Sequence, residues 1–188
     1  MEAVQALRWQ PLTLLFVVAS MWWVKWPLIA LVGACGDASC RRKLPAAAFA
    51  ALSAAALAGA SVMVLKAVFD RARPPLVDPA LDPVGTVPGS ASFPSGHAAT
   101  AFAAAVAVGM LYPRFRTPLL ALAATVALSR VYLGVHFATD VLAGSLLGAA
   151  IGLATGTAAR WVRAAPTALA PSLARSGTSS TPRRRSPA

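Results

Sequence analysis

Residues 129–140 read SRVYLGVHFATD. An arginine, a histidine and an aspartate stand there inside sequence that is otherwise apolar. The chain has two histidines in all, and His136 is one of them. An ionisable residue at membrane depth is expensive to keep and marks a functional site by default. If the turn is helical, His136 and Asp140 fall at i and i+4 on one face. The carboxylate can then accept from one ring nitrogen and leave the other bare to attack. This is the orienting logic of a Ser-His-Asp triad, with histidine itself as nucleophile. Arg130 precedes His136 by six residues, a poor angular match for one straight helix. A bend near Gly134 is needed to aim both at one point.

Composition says where this stretch lives. At 188 residues the chain is one domain by length. It is 57% hydrophobic and 12% charged, with a mean hydropathy of +0.65. Soluble domains carry about 25% charged residues, so this is an integral membrane protein. The net charge of +11 would suit nucleic acid. The charges, however, sit between apolar runs and at the C-terminus, where the positive-inside rule accounts for them, and no nucleic-acid partner is expected. Cys35 and Cys40 do not have zinc-ligand spacing and read as inert thiols, with a disulfide or a metal pair as the other uses. VGAC before Cys35 loosely resembles a lipoprotein cleavage site, but the apolar run ahead of it is long and interrupted by Lys25.

Five apolar segments follow one another, roughly Pro11–Ala34, Pro45–Phe69, His97–Tyr112, Thr117–Val135 and Asp140–Val162. A membrane-crossing helix needs about 20 residues. The second and fifth are long enough; the third and fourth are short and must start or end inside protein. The first holds Trp22, Trp23, Lys25 and Trp26, an interfacial cluster, and reads as a surface helix followed by a short span. The expected fold is all-α, a polytopic membrane bundle of about five to six helices. Residues 1–44 form an N-terminal segment and basic loop, 45–163 the catalytic bundle, and 164–188 a disordered basic tail. The RRR run at 183–185 serves as a positive-inside signal or touches anionic headgroups. Arg41, Arg42, Lys43, Arg114, Arg116, Arg160 and Arg163 share one side if the last four segments each cross once, and that side is the cytoplasm. The loop from Asp70 to Ser95 and the turn at 136–140 then share the outer face. That loop holds six prolines, a density that forbids regular helix, and is read as a cover over the site. Gly144, Gly148, Gly152 and Gly156 make a smooth stripe for packing within the bundle or for a homodimer seam.

Two further polar clusters fall on the same face. Lys66 and Arg73 are seven residues apart, on one side of the second segment's end, with Pro74 closing the helix and Asp70 able to pair with either cation. Snorkelling anchors and an anion clamp both fit that arrangement. Pro94-Ser95-Gly96-His97 opens the third segment. Ser95 suits a helix cap, and free amides at a helix N-terminus make an anion site. An ordinary capped helix with a hydrogen-bonded histidine fits as well. Ser129 has two uses open to it, donation to a bound phosphate or to a backbone carbonyl.

Together the three clusters read K-x6-RP, PSGH and SR-x5-H-x3-D. In order and spacing they resemble the signature of the type 2 phosphatidic acid phosphatase superfamily, with every position filled, over about Pro45 to Val162. The resemblance implies a membrane lipid phosphatase with its site at the outer membrane–water interface and its tail in the cytoplasm. It implies His136 as nucleophile, His97 as acid and base, and Asp140 as orienter. Lys66, Arg73, Ser95, Gly96 and Arg130 would bind phosphate. Both histidines are thereby assigned, and the spare carboxylates Asp70, Asp78 and Asp82 are too few and too loosely placed for a two-metal centre. No metal or other cofactor is expected. The expected substrate is a polyprenyl (undecaprenyl-type) diphosphate, with phosphatidic acid or phosphatidylglycerol phosphate as alternatives. A non-catalytic scaffold or transporter would use the same clusters for headgroups or ions. The vanadium haloperoxidases share such a site but are larger and soluble.

Overall fold

The computed structural model describes residues 8–21 and 46–164. These form α1 (Gln10–Ser20), α2 (Ala46–Phe69), the one-turn α3 (Pro74–Val77), α4 (Gly96–Leu111), a 3-10 turn (Pro113–Phe115), α5 (Arg116–Tyr132) and α6 (Ala138–Ala164). No strand occurs among the described residues. The tryptophan–lysine cluster at 22–26, both cysteines, the basic loop at 41–43 and the tail from 165 lie outside them.

The stretches Ala47–Val77 and Ala138–Ala164 are long and apolar enough to cross a membrane. At 16 and 17 residues, α4 and α5 reach only about 24–26 Å at 1.5 Å per residue. Burial explains why they can be short. α4 is central and packs against α2, α5 and α6, while α1 leans on α5. The core is built from alanine: Ala47, Ala51, Ala54 and Ala58 on α2 and Ala99, Ala103 and Ala107 on α4 are all buried. The opposite faces carry exposed Phe49, Met63, Val64 and Val68 on α2 and Leu142, Leu146 and Leu153 on α6. Large apolar residues outside and small ones inside is the pattern of a bundle solvated by lipid, where close backbone approach replaces the hydrophobic drive.

The glycine stripe is used inside the bundle. A Cβ added at Gly144 would run into the Ser95 carbonyl, and one at Gly148 into that of Ala99. Gly152 faces Ala103, and a Cβ at Gly156 would lie 3.2 Å from Ala107 Cα. The constant offset shows that α4 and α6 run parallel in fixed register, so both N-termini open at the same end. The stripe is therefore filled by α4, and a second chain would have to use another face.

Three local expectations change. α2 ends at Phe69 and not at Pro74, because Asp70 turns into the left-handed region at φ 35°. Arg73 is consequently outside the helix that carries Lys66. The proline-rich loop does contain a helical turn, α3, whose Pro74 and Pro75 occupy its first positions, where a missing N–H costs nothing. Asp70 pairs with neither Lys66 nor Arg73, both of which turn toward the loop.

Replacing Gly148 by alanine should cost about 1–3 kcal/mol of stability, because the new methyl meets backbone that cannot rotate away. Gly89→Ala, with open space at its Cβ, should be neutral. Thermal unfolding of the two variants in detergent checks this; equal melting temperatures would refute the close-packed register.

Candidate active site

The start of α6 is capped by its own first turn. Asp140 Oδ2 accepts the Phe137 N–H at 3.0 Å, a carboxylate reaching back to the residue before the helix. His136 sits ahead of that helix, in the turn, and not inside it as the i,i+4 reading supposed. The ring still faces the carboxylate, with Nδ1 3.5 Å from Asp140 Oδ2. The expected bend is present: Gly134 has φ +76°, a conformation that side chains rarely adopt.

Asp140 is completely buried. Arg71 Nη1 donates to Oδ1 at 2.7 Å, and Ser92 Oγ donates to Oδ2 at 2.6 Å. Ser92 Oγ also lies 3.4 Å from His136 Nδ1. Neither Arg71 nor Ser92 was singled out by the sequence. Arg71 is one arginine beside a stronger motif, and Ser92 is one small polar residue in a loop full of them. Only the path of the loop, tied by the Ser92 N–H to the Arg71 carbonyl at 2.7 Å, brings both to the carboxylate.

On the other side of the ring, Arg73 Nη1 donates to Nε2 at 3.2 Å. Arginine has no acceptor, so Nε2 carries the lone pair and the proton is assigned to Nδ1, facing Asp140 and Ser92. Arg73 is fixed by donating also to Val135 O and Ser90 O, both at 2.9 Å. Lys66 Nζ reaches the same place, donating to Ser90 Oγ at 3.0 Å and to Ala91 O. Lys66 and Arg73 thus converge through the loop, not along a helix face. Burial pushes the His136 imidazole down to about 4; the Asp140 carboxylate opposes this, and the Arg73 and Arg130 cations add to it. Near neutral pH the ring is uncharged.

Arg130, at the end of α5, is 7% exposed, and its Nε has no hydrogen-bond partner among the described residues. Ser95 precedes Gly96 at the head of α4 as the N-cap residue, but its hydroxyl does not cap; it is buried and has no partner among the described residues. Its backbone N–H donates to Asp140 O at 2.9 Å, which pins the head of α4 to the head of α6. Ser129 spends its hydroxyl on the Val126 carbonyl at 2.6 Å, the second of its two uses. His97, in the first turn of α4, places Nε2 3.1 Å from the Ser20 carbonyl at the end of α1. Every motif residue thus lies at one end of the bundle. Arg114, Arg160 and Arg163 lie at the other, where Arg163 Nη2 donates to Tyr112 Oη at 3.1 Å.

The PAP2 superfamily model matches residues 47–164. Lipid A 1-phosphatase of Rhizobium johnstonii is 42% identical over 64 residues, 34% of this chain and 26% of that protein. The chain therefore spans about a quarter of that relative's length. Decaprenylphosphoryl-5-phosphoribose phosphatase of Mycobacterium tuberculosis is 36% identical over 133 residues, 69% of this chain and 68% of that one. The Mycolicibacterium smegmatis protein of the same name is 42% identical over 123 residues, 63% and 62%. Among solved structures, a transmembrane PAP2-type phosphatidylglycerolphosphate phosphatase from Bacillus subtilis superposes with a TM-score of 0.70 at 26% identity, covering 86% of this chain and 83% of that one. With its helices α2 to α6 inside the match and lipid phosphatases as its relatives, this chain belongs to the PAP2 superfamily.

Proposed function

We propose that the chain removes phosphate from a polyprenyl-linked lipid phosphate or diphosphate through a phosphohistidine on His136. The observation that carries this is the geometry of His136: Nε2 beside the Arg73 guanidinium and Nδ1 turned to a buried carboxylate. In the first step Nε2 attacks phosphorus and the bond to the leaving oxygen breaks, that oxygen taking a proton from His97. In the second, His97 takes a proton from water, the water oxygen attacks phosphorus, and the P–N bond breaks to free phosphate and neutral His136. Phosphoryl transfer rests on positioning and charge stabilisation. Arg73, Arg130 and Lys66 supply cations. Ser95 Oγ and Arg130 Nε, buried without partners among the described residues, supply donors of the kind phosphate oxygens accept.

The polyprenyl assignment is supported by the mycobacterial decaprenylphosphoryl-5-phosphoribose phosphatases, which align over about two thirds of the chain. A second reading, phosphatidylglycerol phosphate, is favoured by the structural likeness to the Bacillus enzyme. The site faces the extracytoplasmic side, because the arginines at the far ends of α4 and α6 mark the cytoplasmic one.

His136→Ala should abolish the acid-labile phosphoenzyme, while His97→Ala should slow its formation and its hydrolysis by about 10²–10⁴-fold. Trapping with a radiolabelled lipid phosphate reads both, and a phosphoenzyme in His136→Ala would overturn the assignment. Phosphate release from a panel of lipids ranks the substrates; a tenfold preference for phosphatidylglycerol phosphate would select the second reading. Turnover should persist in excess EDTA and be blocked by vanadate. Loss in EDTA that magnesium restores would rule out the metal-independent route.

The chain has two histidines, so ring nitrogen-15 spectra of the labelled protein are assignable by one variant. A lowered value near 4 means the neutral, nucleophilic form holds at every pH above it. The His136 signals should stay those of neutral imidazole from pH 7.5 to about 5.5, where an ordinary histidine, with a pKa of about 6.5, is mostly charged. Titration of His136 near 6.5 would contradict a buried neutral nucleophile.

A further inference from the structure

We infer that Ser92 and Arg71 are positioning residues that hold the Asp140 carboxylate from the loop side and so set the aim and basicity of His136. The inference rests on His136 being the nucleophile. Neither residue belongs to the three motifs. Their claim comes from the geometry around a charge that water does not reach.

Asp140 has no exposed surface, and a buried carboxylate must be paired and hydrogen-bonded to persist. His136 cannot be its counter-ion while the ring is neutral. Among the described residues, Arg71 is the one cation that touches it, at 2.7 Å on Oδ1. Arg71 is itself located twice more, donating to Thr139 Oγ1 at 2.8 Å and lying over the Phe137 ring at 4.2 Å from its centre. Its three contacts therefore fix the guanidinium against the turn that carries the nucleophile.

Ser92 acts on the other oxygen. Its bond to Oδ2 is short, 2.6 Å, whereas His136 Nδ1 is 3.5 Å from the same atom and 3.4 Å from the Ser92 hydroxyl. The Nδ1 proton is thus shared between two weak acceptors while the strong donor to Oδ2 is Ser92. Ser92 keeps the carboxylate from closing on the ring in the resting state. When Nε2 bonds to phosphorus the ring becomes cationic, and Oδ2 lies ready to accept the Nδ1 proton more strongly. A hydroxyl suits this place because it donates to Oδ2 and still offers a lone pair to Nδ1.

The charged groups facing His136 are Arg73 from the residue before α3, Arg130 from α5 and Asp140 from α6. Arg71 acts on it through Asp140. Removing either Ser92 or Arg71 leaves more of the carboxylate's charge to the ring. The His136 imidazole should then protonate at a higher pH than in the unaltered protein; lost burial would raise it as well, so the readout that a merely structural role would not move is partial rescue by Arg71→Lys, which returns a cation beside Oδ1.

Ser92→Ala and Arg71→Ala should each lower kcat about tenfold or more, the scale of one hydrogen bond to a charged group, with KM held within about twofold because neither touches substrate. The nitrogen-15 titration of His136 should move upward in both, and Arg71→Lys should restore part of the rate. Ser92→Cys, which keeps the volume and weakens the donor, is the second variant should the alanine form fail to fold. Wild-type kcat and an unmoved His136 titration in the folded variants would overturn the inference. His136→Ala run alongside separates the cases: a phosphoenzyme there removes the nucleophile assignment, while its absence with unaltered Ser92 and Arg71 variants removes only the positioning role.

Discussion

The structure turns on one buried carboxylate. Asp140 accepts from the Arg71 guanidinium, the Ser92 hydroxyl and the Phe137 amide, and it faces the His136 ring. Desolvating such a charge costs several kcal/mol, and only a full set of donors offsets that. The donors come from both ends of the proline-rich loop, Arg71 and Ser92, and from the turn before α6, Phe137. Pairing the charge therefore assembles the site. It also leaves Lys66, Arg73 and Arg130 outside the pairing of Asp140, with Arg73 against Nε2 and Lys66 beside it on the loop.

The carboxylate can sit there because α4 and α6 nearly touch. Helices ordinarily pack 8–10 Å apart, set by the side chains between them. Here glycines at every fourth position remove those side chains on α6, and alanines line α4. The Ser95 N–H reaches the Asp140 carbonyl, and the two N-termini open side by side. Their dipoles are parallel, and both positive ends face the site. The same packing thus carries His97 and Ser95 to the end of the bundle where His136 and Asp140 lie.

Much of this was legible in the sequence because ionisable residues are scarce in it. Lys66, Arg73, His97, Arg130, His136 and Asp140 stand out against alanine and leucine, and loop charge alone gathered them at one end. The glycine stripe announced close approach, but its two uses could be separated only by finding α4 within it. Ser92 and Arg71 were not legible, since nothing in the spacing of an irregular loop says which hydroxyl will meet a carboxylate 48 residues later. The end of α2 was misplaced for a related reason. Proline announces itself as a helix terminator, whereas the left-handed turn at Asp70 has no comparable mark.

The cations around His136 have two effects that oppose each other until an anion arrives. Burial lowers the basicity of the ring most, and Arg73 and Arg130 add to it, which favours the neutral form but also makes it a weaker nucleophile. In the proposed reaction, a phosphate bound beside the same guanidiniums would cancel much of their field at the ring. Nε2 would then recover basicity as phosphorus came within reach, and Asp140 would stabilise the positive charge that attack creates. An aspartate left to pair with the histidine alone would have drawn a proton onto the ring before substrate arrived. Dividing its two oxygens among Arg71, Ser92 and the Phe137 amide avoids that, and explains why so much of the loop is committed to holding a residue that never touches phosphate.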